Sequence, residues 1–142
     1  MVCDEVYGVE DKARVFAEAD FVVCSLPGTA HTEKFCDDAC FRAMKPTGVF
    51  ISIGRGKVVD EDALADALRE DRIRGAAMDV FATEPLPEAS PLWGLENVLL
   101  SPHNADFVPT FLEDAFEVVE TNLKAFETGD AFTHTVDREI GY

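Results

Sequence analysis

The chain has 142 residues, 47% of them hydrophobic, which suits one small domain or a piece of a larger one. Acidic residues outnumber basic ones 28 to 12, and the net charge of −16 repels nucleic acid and anionic membrane, so neither is expected as a partner. No apolar stretch approaches the roughly 20 residues of a membrane span.

Residues 10–19, EDKARVFAEA, carry a short amphipathic helix pattern with Val15 and Phe16 inward. DFVVCSLP (20–27) is a continuous apolar run closed by Pro-Gly, the pattern of a strand buried on both faces. FCDDACFRAM (35–44) reads as a short helix stopped by Lys45-Pro46-Thr47-Gly48, and GVFISIG (48–54) as the second strand. Asp60 is placed to cap a helix running to about Asp71, with Leu64, Ala67 and Leu68 on one face. RGAAMDVF (74–81) is the third strand. A proline-rich irregular loop leads to the fourth, NVLLSP (97–102). From Thr110 to Thr128 the apolar residues Leu112, Ala115, Phe116, Val119, Leu123 and Phe126 mark a long helix, with Gly129 where a C-cap belongs. Strands alternating with helices imply an α/β fold with a parallel sheet.

Arg55, Glu84 and His103 each stand just past the end of a strand. In a parallel sheet all such ends share one edge, so these side chains are expected to converge on one crevice. Arg55 lies between two glycines, and its planar fork matches a carboxylate; the plainer alternative is an arginine that caps the sheet or pairs with a surface acid. Asp79 sits in MDVF among apolar neighbours, where its carboxylate needs a fixed donor from backbone or ligand. Glu84 precedes Pro85 in an extended loop; taken alone it reads as a surface acid. A carboxylate beside His103 would raise the imidazole's pKa and keep it a proton donor near neutral pH. His31 and His134 read as surface residues. Cys3, Cys24, Cys36 and Cys40 form no metal set and read as reduced thiols, Cys24 as a small buried hydrophobe. No secretory signal follows Met1, which points to an intracellular protein, cytoplasmic or in an organelle.

The run GRGKVVDEDALADAL…RIRGAAMDVFATEPLPEASPLWGLENVLLSPHNA resembles the D-isomer-specific 2-hydroxyacid dehydrogenases over roughly residues 20 to 127. The resemblance implies a partial Rossmann-like, doubly wound parallel sheet. It also implies an NAD- or NADP-dependent oxidoreductase that reduces a small 2-oxo acid to a D-2-hydroxy acid, working as a homodimer in its full-length form. By the same resemblance Arg55 grips the substrate's carboxylate and carbonyl, Glu84 supports the imidazole, and His103 protonates the carbonyl oxygen. The nicotinamide contacts would be Leu26, Pro27, Ile53, Gly54, Arg55, Asp79, His103 and Asn104. No metal is implied.

No GxGxxG motif occurs in the chain, and Asp106 stands where the commonest family pattern has glycine, which leaves the local backbone path open. The expected organisation is therefore the C-terminal half of a nucleotide-binding domain at 1–109, the long helix at 110–128 and a tail at 129–142. By the same resemblance the glycine loop and the substrate domain are expected outside these 142 residues, so alone they are expected to bind NAD weakly and turn over little. Two other readings follow from the same residues: a nucleotide-sensing regulator like the related corepressors, and a non-catalytic truncated subunit.

Overall fold

The computed structural model describes residues 3–141. Its sheet has four parallel strands in sequential order: β1 Phe21–Cys24, β2 Val49–Ser52, β3 Gly75–Met78 and β4 Val98–Leu100. Helix α1 (Lys12–Glu18) precedes β1, α2 (Asp38–Ala43) joins β1 to β2, and α3 (Glu61–Arg69) joins β2 to β3. The β3–β4 link is irregular apart from one 3₁₀ turn at Pro91–Gly94, whose N-cap is Ser90. The result is the Rossmann-like α/β arrangement the sequence implied.

Local chemistry sets the helix ends. The Asp37 carboxylate accepts the Cys40 N–H at the start of α2, and Asp60 accepts the Ala63 N–H at the start of α3. Phe16 of α1, Phe41 of α2 and Phe50 of β2 meet as a three-ring cluster. The Phe41 and Phe50 centroids lie 5.1 Å apart edge to face, and Phe16 stands 6.4 Å from each. Leu64 and Leu68 of α3 extend the same core toward β3, as their spacing in the sequence implied.

All of this packing lies on one face of the sheet. Along β1 burial alternates: Val22 and Cys24 are covered, whereas Phe21 is 66% and Val23 56% exposed. The expectation that this strand is buried on both faces is thus corrected. An apolar run looks the same whether one or two faces are covered, and α1 to α3 cover only one.

The chain divides into two compact units, the sheet with its helices through His103 and a second unit from Asn104 onward. In the second, α4 (Phe111–Thr128) ends at Gly129, whose φ of 78° is the left-handed C-cap geometry. Its Leu112, Phe116, Val119, Leu123 and Phe126 are each more than half exposed. Asn122 Oδ1 accepts the Thr133 N–H at 2.8 Å and holds the start of the tail against α4. Among the described residues no helix is long and apolar enough to cross a membrane.

Candidate active site

Parallel pairing brings four strand ends to one edge, and the backbone ladder runs one residue past three of them, β2, β3 and β4. Ile53 N–H donates to Cys24 C=O, Asp79 N–H to Ser52 C=O, and Ser101 N–H to Met78 C=O, all at 2.9–3.0 Å. These bonds tie the first residue of these three exit loops to the sheet, so the side chains that follow start from a rigid base.

Two glycines let the exit loops touch. A Cβ on Gly54 would stand 2.6 Å from the Leu26 carbonyl oxygen, and one on Gly56 would stand 1.8 Å from the Phe81 carbonyl carbon. Either position would clash with any larger residue, so the β2 exit packs backbone to backbone against the exits of β1 and β3. Arg55 lies between them with extended backbone, and its Nη1 donates to Gly54 C=O at 2.8 Å. That uses one of five guanidinium donors.

Glu84 lies three residues past Phe81 and turns back on it. Its Oε1 accepts the Phe81 N–H at 2.9 Å, and its Oε2 pairs with His103 Nδ1 at 2.8 Å. The Glu84–Pro85 peptide is cis. The bond to His103 comes first among the causes that hold the Glu84 carboxyl below its ordinary range, followed by the Phe81 N–H. The same bond raises the His103 imidazole above its ordinary range; desolvation and the Arg55 charge oppose it, while Asp79 assists. Arg55 therefore acts on both members of the pair through its charge. With Nδ1 facing Glu84, Nε2 is the imidazole nitrogen left to carry a proton outward. His103 also has φ of 52°, a left-handed backbone uncommon for a non-glycine residue and a recurrent mark of functional sites.

Asp79 is 5% exposed at the end of β3. A donor it was expected to need is a side chain, the Ser101 hydroxyl, which reaches Asp79 Oδ1 at 2.5 Å from the end of β4. A cavity of about 660 Å³ opens beside Glu84 and His103, with Phe81, Leu86, Trp93 and Leu100 among its walls. The Trp93 indole is pinned by its N–H to Pro87 C=O at 2.9 Å.

Leu26 and Pro27 are half-buried at the β1 exit, and Ile53 is 48% exposed beside them. Asn104 opens the second unit, where its C=O accepts the Phe107 N–H at 3.0 Å. Asp106 follows in the same loop, its C=O accepting the Val108 N–H at 2.8 Å. His31 and His134 are exposed. Cys24, Cys36 and Cys40 are buried free thiols, and Cys3 is an exposed one. Among the described residues no group of three or more His, Cys, Asp or Glu is placed to hold a metal. Two residues of the site carry no signal in the sequence. Ser101 reads as the last polar residue of a strand, and Glu61, whose Oε1 accepts the Ala82 N–H at 2.5 Å, as an ordinary acid in the first turn of a helix.

A parallel sheet that gathers a buried carboxylate, an arginine and a carboxylate–imidazole pair at the carboxyl ends of its strands has the layout of a ligand-binding α/β domain. The sequence profile described as D-isomer specific 2-hydroxyacid dehydrogenase, NAD binding domain, matches residues 3–105, and the chain belongs to that family. It is 42% identical over 123 residues to a glyoxylate reductase of Thermococcus onnurineus, an alignment that covers 87% of this chain and 36% of the relative. A D-isomer specific 2-hydroxyacid dehydrogenase from Xanthobacter autotrophicus, solved with NADPH and MES, superposes with a TM-score of 0.86 at 36% identity, covering 95% of this chain and 55% of that one. An NADPH-dependent glyoxylate/hydroxypyruvate reductase from Sinorhizobium meliloti, solved with NADP and sulfate, gives 0.86 at 31% identity, covering 96% and 44%. The chain spans less than half the length of the curated relatives it matches, 46% and 38% for two of them.

Proposed function

We propose that this chain supplies the nicotinamide-side and proton-transfer half of an NAD(P)-dependent oxidoreductase that reduces small 2-oxo acids to D-2-hydroxy acids. The observation that carries the reading is the 2.8 Å contact between Glu84 Oε2 and His103 Nδ1 at the ends of adjacent strands. The residues present fit the nicotinamide end of the cofactor. Asp79 offers a buried carboxylate as acceptor for a carboxamide N–H, and Leu26, Pro27 and Ile53 form an apolar rim for a planar ring. When bound, the reduced nicotinamide supplies the hydride.

The remaining chemistry falls to the chain's own side chains. Arg55 offers its outward N–H donors to the substrate's carboxylate and carbonyl, fixing the 2-oxo acid by a planar fork. Negative charge builds on the carbonyl oxygen as the C2–H bond forms, and the protonated His103 Nε2 delivers the proton that completes the hydroxyl. Glu84 keeps that proton available and orients the ring. Glyoxylate and hydroxypyruvate are the first substrates to try, because relatives of these names match most of this chain. The family resemblance supports a homodimer of full-length subunits, and a nicotinamide cofactor with buried free thiols fits an intracellular setting.

A chimera tests this reading. Residues 3–105 would replace the aligned stretch of the Thermococcus onnurineus glyoxylate reductase, and the loss of reduced-nicotinamide absorbance would be followed with glyoxylate, hydroxypyruvate and larger 2-oxo acids. Turnover with at least one of them is expected. A folded chimera that binds NAD(P)H but reduces none contradicts it.

A further inference from the structure

Glu61 opens α3, where an acid usually faces water and the helix dipole. Here its Oε1 crosses to the β3 exit and accepts the Ala82 N–H at 2.5 Å. The neighbouring N–H, that of Phe81, goes to Glu84 Oε1 at 2.9 Å. Two consecutive backbone donors of one turn are thus held by two carboxylates, one anchored in α3 and the other at the turn's far end. Gly56 presses on the same peptide, since a Cβ there would lie 2.4 Å from Ala82 N. The setting is unfavourable for a charge. Burial raises the Glu61 carboxyl above its ordinary range, Asp60, Asp62 and Glu84 push it the same way, and the Ala82 N–H opposes them.

We infer that Glu61 is a positioning residue for the proton-transfer pair: by clamping the Ala82 N–H it holds the 81–84 turn in the form from which Glu84 reaches His103. The inference rests on the reading of Glu84 and His103 given above. Glu61 touches neither substrate nor cofactor; it acts through the turn. An acid that served only the stability of α3 would leave His103 unaffected when removed.

The test is NMR titration of the His103 imidazole in the 142-residue chain and its E84Q, E61A and E61Q variants. The charged groups that set its midpoint are Glu84, Arg55 and Asp79. E84Q is expected to lower the midpoint. E61A is expected to reproduce more than half of that drop, and E61Q, which keeps an acceptor oxygen at the same place, little of it. If E84Q lowers the midpoint and E61A does not, the inference is overturned while the proposed function stands. An equal drop in E61A and E61Q also overturns it, because a lost charge then explains the effect without the clamp. If E84Q itself leaves His103 unmoved, the pair is absent and both fall. Should E61A not fold, the unmodified chain gives a second reading. The Ala82 amide proton is expected to shift along the Glu61 carboxyl titration, and an Ala82 amide blind to that carboxyl overturns the inference.

Discussion

Replacing Gly56 by alanine places a methyl carbon 1.8 Å from the Phe81 carbonyl carbon, 2.1 Å from its oxygen and 2.4 Å from the Ala82 nitrogen. Ordinary contact begins near 3.4 Å, so the two loops must part by the difference between 3.4 and 1.8 Å, about 1.6 Å. Every atom in the way is backbone, and no rotamer change relieves the clash. A displacement of that size carries the Phe81 N–H away from Glu84 (now 2.9 Å) and the Ala82 N–H away from Glu61 (now 2.5 Å). Overpacking costs about 1–3 kcal/mol, and each of the two lost hydrogen bonds to a charged acceptor about 1.5–3 kcal/mol, so G56A should lose at least about 4 kcal/mol. That is a large part of the roughly 5–15 kcal/mol that holds a domain together. Urea unfolding would report it as a lower midpoint with the slope unchanged. Imidazole NMR would report the local consequence, a His103 midpoint moved toward its ordinary value. A variant with the wild-type unfolding midpoint and the wild-type His103 titration would refute the reasoning.

Other consequences concern the core and the ion pair. Phe50 is fully buried between Phe41 and Phe16, so Phe50→Ala should cost about 3–5 kcal/mol in urea unfolding; a loss below about 1 kcal/mol would mean the ring cluster is not packed as described. The Glu84–His103 pair also gives stability a definite pH window. The raised His103 contributes fully below the ordinary imidazole value of about 6.5 and loses its contribution as pH rises through its folded value. The lowered Glu84 contributes above the ordinary carboxyl value of about 4.3 and loses it as pH falls through its folded value. The stability gap between wild type and E84Q should therefore peak between those two ordinary values and shrink on either side, and a gap independent of pH would count against the pair.

The order of elements was legible because each strand is an apolar run bounded by residues that cannot continue it. The runs overshoot the observed strands. DFVVCSLP suggested 20–27, but β1 is Phe21–Cys24 and the last ladder bond to it is Ile53 N–H to Cys24 C=O. Pro27 has no N–H to extend the ladder. The convergence of Arg55, Glu84 and His103 was legible for a topological reason, since parallel strands place all their exits on one edge. What the sequence could not show are contacts set by tertiary distance. The exposed side of Phe21 and Val23 depends on where helices lie, and the Ser101 hydroxyl on Asp79 depends on two strands being adjacent. Glu61 is hidden in a different way. An acid in the first turn of a helix already has a sufficient local reason to be there, and only the fold supplies a second one, the Ala82 N–H.

The most direct test of the central claim is a His103→Ala substitution in the chimera that carries residues 3–105. Loss of a positioned proton donor should lower turnover on the 2-oxo acid, at saturating NAD(P)H, by about 10²–10⁴. Undiminished turnover would contradict the assignment of His103 and, with it, the chemistry derived for this edge of the sheet.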